Sequence, residues 1–371
     1  MSLYLDAMRF LAALWVVLAH FHAWGFAPAS LGAWLPESGR DAVVLFFVLS
    51  GFVIAYTCER KDGRTYLVDR AARIYSVALP VVLATTGIAL ADVHAGTVGY
   101  ARFYQSGQIV GYLGLYFAFL GNAWFLQEPP FGIIPYWSLN FEVWYYILFG
   151  LLVYLRGVWR AVLFLAALAI VGFKLWLLWP VWLAGVWLYR YRDRWPMPRG
   201  VARAVMALTV IVYAAMEVTG ADHWLWAVSS APFGGLAASP LGDARFFASD
   251  YAVAVLAVAH LYAFRYAEVG LPRWSAPAIR WLAGCTFTLY LAHGPILTLF
   301  GIHFGKTGDS VGHALLLLVG LLAAVVAISY GTERQVALWR RGFGWLVRLA
   351  ERCLSPLRRR VASTDLIRLH R

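Results

Sequence analysis

A succession of apolar runs with the length of transmembrane helices constrains this sequence more than any other feature. Only 13% of the 371 residues are charged, about half the fraction of a typical soluble domain, so polar surface is too scarce to cover soluble cores. We therefore predict an all-α polytopic membrane bundle. Its ten expected spans are 8–27, 41–58, 75–92, 138–155, 161–173, 175–189, 204–219, 251–267, 281–300 and 313–330.

Two of the apolar stretches need a decision about where the chain turns. The stretch 161–189 would be about 43 Å long as a single helix, and it contains Lys174 and Pro180, so we predict two short spans. The run 109–126 carries three glycines and an asparagine, and we predict a re-entrant or interfacial segment there. The alternative, in which 109–126 crosses and 161–189 is one span, stays open.

The distribution of basic residues gives the orientation. With ten spans, 26 of the 31 lysines and arginines fall on the side that holds both termini, and four fall on the opposite side. The positive-inside rule then predicts that both termini are cytoplasmic. Topology also explains the net charge of +12, so we expect no nucleic-acid partner.

The chain divides into two expected parts. Residues 1–333 form an integral membrane domain, and residues 334–371 form a basic amphipathic cytoplasmic tail that lies on the anionic leaflet of the membrane lipids. Because the first run carries Arg9 and His20, we expect it to remain as a span and not to be a cleaved signal peptide. Three cysteines with no histidine at a ligand spacing predict neither a disulfide framework nor a metal site.

Ionisable side chains within spans are costly, and they usually face a cavity or a partner. Arg9 and His20 are eleven residues apart, which puts them on nearly the same helix face about 16 Å apart, and Asp6 lies near that face. The alternative is a snorkelling arginine and a histidine bonded to a neighbouring helix. His260 has aliphatic neighbours, which favours a packed and satisfied histidine.

Three further spans carry polar groups at the depth expected for His20. Glu142 is expected about one turn below the outer surface, and His293 and Ser50 come to a similar level. Nearer the cytoplasm, Arg70 and Arg73 are three residues apart, so both guanidinium groups can present to one anion such as a phosphate. The alternative for this pair is a role in topology alone.

Taken together, these residues resemble the bacterial acyltransferase-3 family of integral membrane O-acyltransferases. The resemblance rests on five motifs in the family's order: Asp6 and Arg9 with His20 after ten intervening residues, Phe46 to Phe52, Arg70-x-x-Arg73, Trp137-Ser138-Leu139 with Glu142, and Tyr290-Leu-x-His293. It implies ten spans in a bacterial cytoplasmic membrane, a cytoplasmic acyl-CoA co-substrate with no tightly bound cofactor, and transfer, most often of acetyl, to a hydroxyl of an envelope or exported glycan or a lipid-linked saccharide.

The chemistry of acyl transfer assigns roles to these residues. Moving an acyl group from a thioester to an alcohol needs a base, a group that orients it and donors to the oxyanion. We predict His20 as the base, with the other residues as follows: catalytic Glu142, Arg9, Asp6 and His293; donor-binding Arg70 and Arg73; acceptor or oxyanion candidates Ser50, Trp137, Ser138 and Asn140. Some members carry an extracytoplasmic hydrolase-like domain that we do not expect here, so we expect that the protein acts alone or that a separate partner completes the transfer.

Two other function classes compete with this prediction. A proton-coupled transporter of a small or lipid-linked solute would also bury His, Glu and Arg, but the two halves of the sequence show no paired segments interrupted by Gly or Pro. Binding of acyl-CoA would separate the two classes. A different membrane transferase is disfavoured because the sequence contains neither a His-x4-Asp motif nor a Gly-x-Ser-x-Gly elbow.

Overall fold

The computed structural model describes the backbone of residues 2–95, 108–306 and 310–368, and the side chains of residues 3–91, 108–306 and 310–353. Over these residues the chain is all helical and contains no strand. The α-helices are, in order, α1 (Ser2–Ala23), α2 (Ala29–Gly32), α3 (Arg40–Cys58), α4 (Gly63–Ala95), α5 (Ile109–Phe117), α6 (Tyr136–Tyr154), α7 (Gly157–Val171), α8 (Phe173–Tyr191), α9 (Arg199–Thr219), α10 (Ala221–Ser230), α11 (Gly235–Ala238), α12 (Phe247–Ala267), α13 (Ala276–Ala283), α14 (Thr286–His303), α15 (Val311–Gly331) and α16 (Val336–Arg368).

Every apolar run predicted to span overlaps one of these helices. Within the described ranges, six helices are each long and apolar enough to cross a membrane, and two bent helix pairs raise that number to eight. The chain is therefore a multi-pass membrane protein with a helical bundle.

The long apolar stretch 161–189 breaks at Gly172, between α7 and α8, whose axes are bent by 115°. Gly172 has φ +80° and ψ −179°, a region that only glycine adopts readily, and the Trp124 side chain packs against it. The predicted spans 161–173 and 175–189 placed this boundary at Lys174, two residues later than the observed break. Pro180 is accommodated inside α8, and Lys174 is fully buried in its first turn, where Nζ donates to the Leu126 carbonyl at 2.8 Å.

The run 109–126 does not cross as a helix. Its helix α5 has nine residues and is about 14 Å long, less than half the thickness of the hydrocarbon core. The chain then continues without a long helix to α6. Phe131, Ile133 and Tyr136 of this connection are at most 1% exposed, so α6 begins already inside the bundle.

Helices α3 and α8 pack backbone against backbone. A Cβ on Gly51 would lie 2.0 Å from the Trp182 carbonyl oxygen, and a Cβ on Gly185 would lie 1.9 Å from the Val48 carbonyl oxygen. Only glycine permits this approach at both positions. The contact brings Ser50 of α3 directly against Trp182 of α8, and both lie beside the site described below.

The predicted cytoplasmic loop 59–73 is largely helical, because α4 begins at Gly63. Asp62 caps this helix by accepting hydrogen bonds from the backbone N–H and hydroxyl of Thr65, and these bonds hold its pKa below the ordinary value. Asp69 accepts charge-assisted bonds from Lys61 and from Arg340 of α16. The tail therefore packs on α4; its side chains from 354 onwards lie outside the described residues.

Candidate active site

His20 and His293 form a hydrogen-bonded pair between α1 and α14, which pack side by side. Nδ1 of His20 lies 2.8 Å from Nε2 of His293, and the two rings are nearly parallel with centroids 5.1 Å apart. His293 is fully buried, and its Nδ1 lies 3.0 Å from the carbonyl oxygen of Leu289, one turn earlier on α14. Trp24 stacks on His20 from the end of α1.

This network fixes the proton positions in the neutral pair. A carbonyl oxygen can only accept a hydrogen bond, so Nδ1 of His293 carries a hydrogen and its Nε2 is an acceptor. His20 must then donate from Nδ1, which leaves Nε2 of His20 with a free lone pair. That Nε2 has no hydrogen-bond partner within the described part of the chain. The arrangement is a base oriented by a second imidazole.

Two cavities approach each other inside the bundle. The histidine cavity, of about 170 Å³, is lined by His20, Arg40 and Trp137 among others. The arginine cavity, of about 110 Å³, is lined by basic and polar side chains, namely Arg9, Arg70, Arg73, Ser50, Ser138, Glu142 and Tyr146. Val43 and Tyr290 line both cavities, so these two side chains form the wall between them.

The arginine cavity is suited to an anion. The Nε of Arg70 is buried and has no hydrogen-bond partner among the described residues, so it remains available to a ligand. Arg73 is in ionic contact with Glu333 at 2.9 Å, without a well-aligned hydrogen bond. The other oxygen of Glu333 accepts from the backbone N–H groups of Phe287 and Thr288 and so caps the first turn of α14. Arg70 and Arg73 thus line the same cavity.

A directional hydrogen-bond chain ends at Glu142. Tyr146, one turn later on α6, donates its hydroxyl hydrogen to Glu142. Ser50 must therefore donate to the Tyr146 oxygen, at 3.1 Å, while Ser50 itself accepts from the indole N–H of Trp182 at 3.1 Å. Every hydrogen in the chain points towards the carboxylate of Glu142, which lines the same cavity as the arginines.

Glu142 therefore lies with the arginines and not with His20, contrary to the depth expected from the sequence. That expectation assumed that the span begins at the membrane surface near residue 138. In the structure α6 begins at Tyr136, which is itself buried after Phe131 and Ile133, and Glu142 lines the arginine cavity. The group that orients His20 is His293.

The remaining candidates fall in different places. Trp137 lines the histidine cavity, whereas Ser138 lines the arginine cavity and shares a hydrogen bond of 2.7 Å with the Tyr290 hydroxyl. Asn140 lines neither cavity. Its amide donates to Asn122, which donates to Asp243, so it ties α6 to the chain before and after it. Asp6 also lines neither cavity and lies one turn before Arg9 on α1.

A model of a protein family described as an acyltransferase domain matches residues 2–334. The chain belongs to the acyltransferase-3 family. No curated protein and no solved structure matches the chain. The resemblance drawn from the five motifs is thus confirmed, and family membership makes this chain a membrane acyltransferase.

The five acyltransferase-3 motifs come together although they are spread along the chain. Together they supply the histidine pair and most of the wall of the arginine cavity. Across the described residues, no three His, Cys, Asp or Glu side chains converge as metal ligands. His260 accounts for both its ring nitrogens with Tyr4 at 2.7 Å and Thr209 at 2.9 Å, so the prediction of a satisfied histidine is confirmed.

Several residues of this acyltransferase site were not singled out from the sequence. Tyr290 belongs to a recognised motif, and Tyr146 is one helical turn from Glu142, so spacing could have indicated both. Glu333 and Arg40 had no such signal. Glu333 follows an apolar span, and Arg40 reads as one of the few basic residues on its side of the membrane.

Proposed function

We propose that this acyltransferase moves an acyl group, most often acetyl, from cytoplasmic acyl-CoA to a hydroxyl of an envelope or exported glycan, with His20 as general base. The observation that carries the proposal is the free Nε2 lone pair of His20, which is held by His293 and lies in a cavity that shares Val43 and Tyr290 with the arginine cavity. A base within reach of an acceptor hydroxyl is what acyl transfer to an alcohol requires.

The donor is assigned to the arginine cavity. The phosphates of CoA bind Arg70, Arg73 and Arg9, because charge-assisted bonds to guanidinium groups suit phosphate oxygens. Along α1, Arg9 and His20 are separated by about 16 Å, a distance that the pantetheine arm can cover. Tyr290 stands between the two cavities, so the thioester reaches His20 by passing this side chain.

The reaction then runs at His20. The acceptor oxygen attacks the thioester carbonyl carbon as Nε2 takes the hydroxyl proton, and the charge on His20 is stabilised through its bond to His293. When the carbon–sulfur bond breaks, the imidazolium returns the proton to the departing thiolate. The products are an ester and free CoA, and His20 regains its lone pair. Glu142 does not touch His20; it balances the charge of the arginine cavity.

The topology that serves this reaction has ten spans with both termini in the cytoplasm, and the membrane is the bacterial cytoplasmic membrane. This arrangement opens the arginine cavity to cytoplasmic acyl-CoA and the histidine cavity to the acceptor outside. The asymmetry of basic residues supports it.

The proposal is tested with purified protein in proteoliposomes. Radiolabelled acetyl-CoA is added outside right-side-out or inside-out vesicles, and label transferred to glycan is measured. We expect transfer only when acetyl-CoA meets the face that carries α16. Absence of acetyl-CoA binding in either orientation would refute the proposal and favour a solute transporter.

A further inference from the structure

The histidine cavity has an aromatic wall that no part of the proposed reaction yet explains. It consists of Trp137 at the start of α6, Trp226 on α10 and Phe246 just before α12. The Trp226 and Phe246 rings meet edge to face with centroids 4.9 Å apart. All three side chains are only partly buried, and each lines the cavity that His20 also lines.

A buried ion pair holds this wall in place. The Nε and Nη2 of Arg40 donate to the two carboxylate oxygens of Asp250 at 2.7 and 2.5 Å. The same guanidinium lies over Phe246 at 4.5 Å and over Trp137 at 5.2 Å from their ring centroids. Trp226 is fixed separately, because its indole N–H donates to the Ser249 hydroxyl at 2.7 Å. The aromatic faces are therefore preorganised before any ligand arrives.

The charge of the cavity wall separates this site from the arginine cavity. Arg40 is the only residue with a permanent charge among the described residues that line the histidine cavity, and Asp250 compensates it in a two-bond pair. The guanidinium of Arg245 lies over the Phe246 ring, but Arg245 does not line the cavity. The carboxylate of Asp243 interacts electrostatically with both Arg245 and Arg40. Among the described residues that line the cavity there is thus no cation without a carboxylate partner, so an anionic ligand would lose its hydration there without gaining an ion pair.

We propose that the histidine cavity is a subsite for one uncharged pyranose ring of the acceptor. The ring lies on the aromatic wall, since sugar C–H bonds contact the electron-rich faces of aromatic rings favourably, and it presents one hydroxyl to Nε2 of His20. A volume of about 170 Å³ is below that of pockets for drug-sized ligands, so it holds one ring and not an oligosaccharide. This inference rests on the proposed function and names the acceptor class.

The test uses matched acceptors and matched variants of the full chain in proteoliposomes. Neutral oligosaccharides ending in glucose, galactose or mannose are compared with the same compounds ending in the corresponding uronic acid, and acetyl transfer from labelled acetyl-CoA is measured. The variant Trp226→Leu removes the aromatic face, whereas Trp226→Phe keeps it. Trp187→Ala removes an exposed tryptophan that lines neither cavity and serves as the control.

We expect at least one neutral acceptor to exceed its uronate counterpart tenfold in kcat/KM. Trp226→Leu should raise the acceptor KM about tenfold without changing the acetyl-CoA KM, and the Phe and control variants should resemble the parent. Uronates accepted as well as neutral sugars, no neutral sugar acylated by a protein that binds acetyl-CoA, or an unchanged acceptor KM in Trp226→Leu would each overturn the inference. Loss of acetyl-CoA binding in the parent protein would instead refute the proposed function itself.

Discussion

At the scale of the residue, the hydrogen on Nδ1 of His293 decides which nitrogen of His20 can act as a base. Leu289 can only accept that hydrogen, so the order of donors and acceptors runs from His20 through His293 to the backbone of α14. The chemistry of His20 therefore depends on a carbonyl that belongs to a helix more than 250 positions later in the sequence.

Replacing His20 with alanine should reduce acyl transfer by about 10²- to 10⁴-fold, the contribution typical of a general base. The measurement is label transfer from acetyl-CoA by purified variants whose folding is checked by thermal unfolding. His260→Ala is the matched control, because His260 lines neither cavity and bonds only to Tyr4 and Thr209. A His20→Ala protein that keeps full transfer would remove His20 from the mechanism.

If His293 orients His20, two substitutions at position 293 should differ in their effect on acyl transfer. A glutamine oxygen can still accept from Nδ1 of His20, whereas alanine cannot. We expect His293→Ala to lower kcat about 10- to 100-fold and His293→Gln to lower it less, with the acetyl-CoA KM unchanged in both. Equal losses in the two variants would show that hydrogen-bond acceptance by this residue is not what the reaction needs.

Arg70 and Arg73 should differ although both line the arginine cavity. Arg70→Ala removes an unpartnered donor, so acetyl-CoA affinity should fall by ~1–3 kcal/mol with little change in thermal stability. Arg73→Ala also leaves Glu333 buried without its cation, so both affinity and stability should fall.

Calorimetry and thermal unfolding in detergent separate these effects. The double variant Arg73→Ala with Glu333→Gln should recover stability but not acetyl-CoA affinity. Unchanged affinity in Arg70→Ala and Arg73→Ala would show that the pair serves topology only.

At the scale of the element, the close contact of α3 and α8 supports the site indirectly. Gly185 lets α8 approach until Trp182 reaches Ser50, which begins the hydrogen-bond chain to Glu142. A larger residue forces the two helices apart, and the carboxylate then loses part of its support.

Gly185→Ala tests this contact. The added Cβ would lie 1.9 Å from the Val48 carbonyl oxygen, so we expect a loss of ~1–3 kcal/mol in stability together with reduced transfer. Gly87→Ala is the control, because a Cβ there meets no atom within 4 Å and alanine favours the helix by about 0.5–1 kcal/mol. If Gly185→Ala and Gly87→Ala had the same thermal stability, the close contact at Gly185 would not be important for the fold.

At the scale of the whole molecule, the side of the membrane reached by each cavity can be measured by labelling cysteines. Gln127 lies in the exposed part of the connection between α5 and α6, and Cys353 is exposed on α16. In a background without native cysteines, Gln127→Cys should react with an impermeant thiol reagent from outside the cell. A protein that retains only Cys353 should react only after the membrane is opened.

The two reporters make the topology falsifiable in both directions. Labelling of Gln127→Cys only in opened membranes, or of Cys353 in intact cells, would contradict the ten-span topology and the sidedness assigned to the two cavities.

The sequence alone determined the helical membrane class, the family and most of the polar residues that line the arginine cavity. Apolar runs and helical periodicity reflect whether a segment's own side chains favour lipid over water. This preference depends on each segment alone and not on its tertiary neighbours. The eleven-residue spacing of Arg9 and His20 likewise fixes their shared face, because helix geometry is the same everywhere.

Only the tertiary structure decided which polar groups meet. His20 pairs with His293 and not with Glu142, because α1 packs against α14 and brings the two imidazoles together, and no local pattern reports this packing. The break at Gly172 and the aromatic wall of Trp137, Trp226 and Phe246 also depend on how distant segments pack together. Contacts between segments distant in sequence depend on how all the helices pack together, and that packing is decided by the whole chain at once.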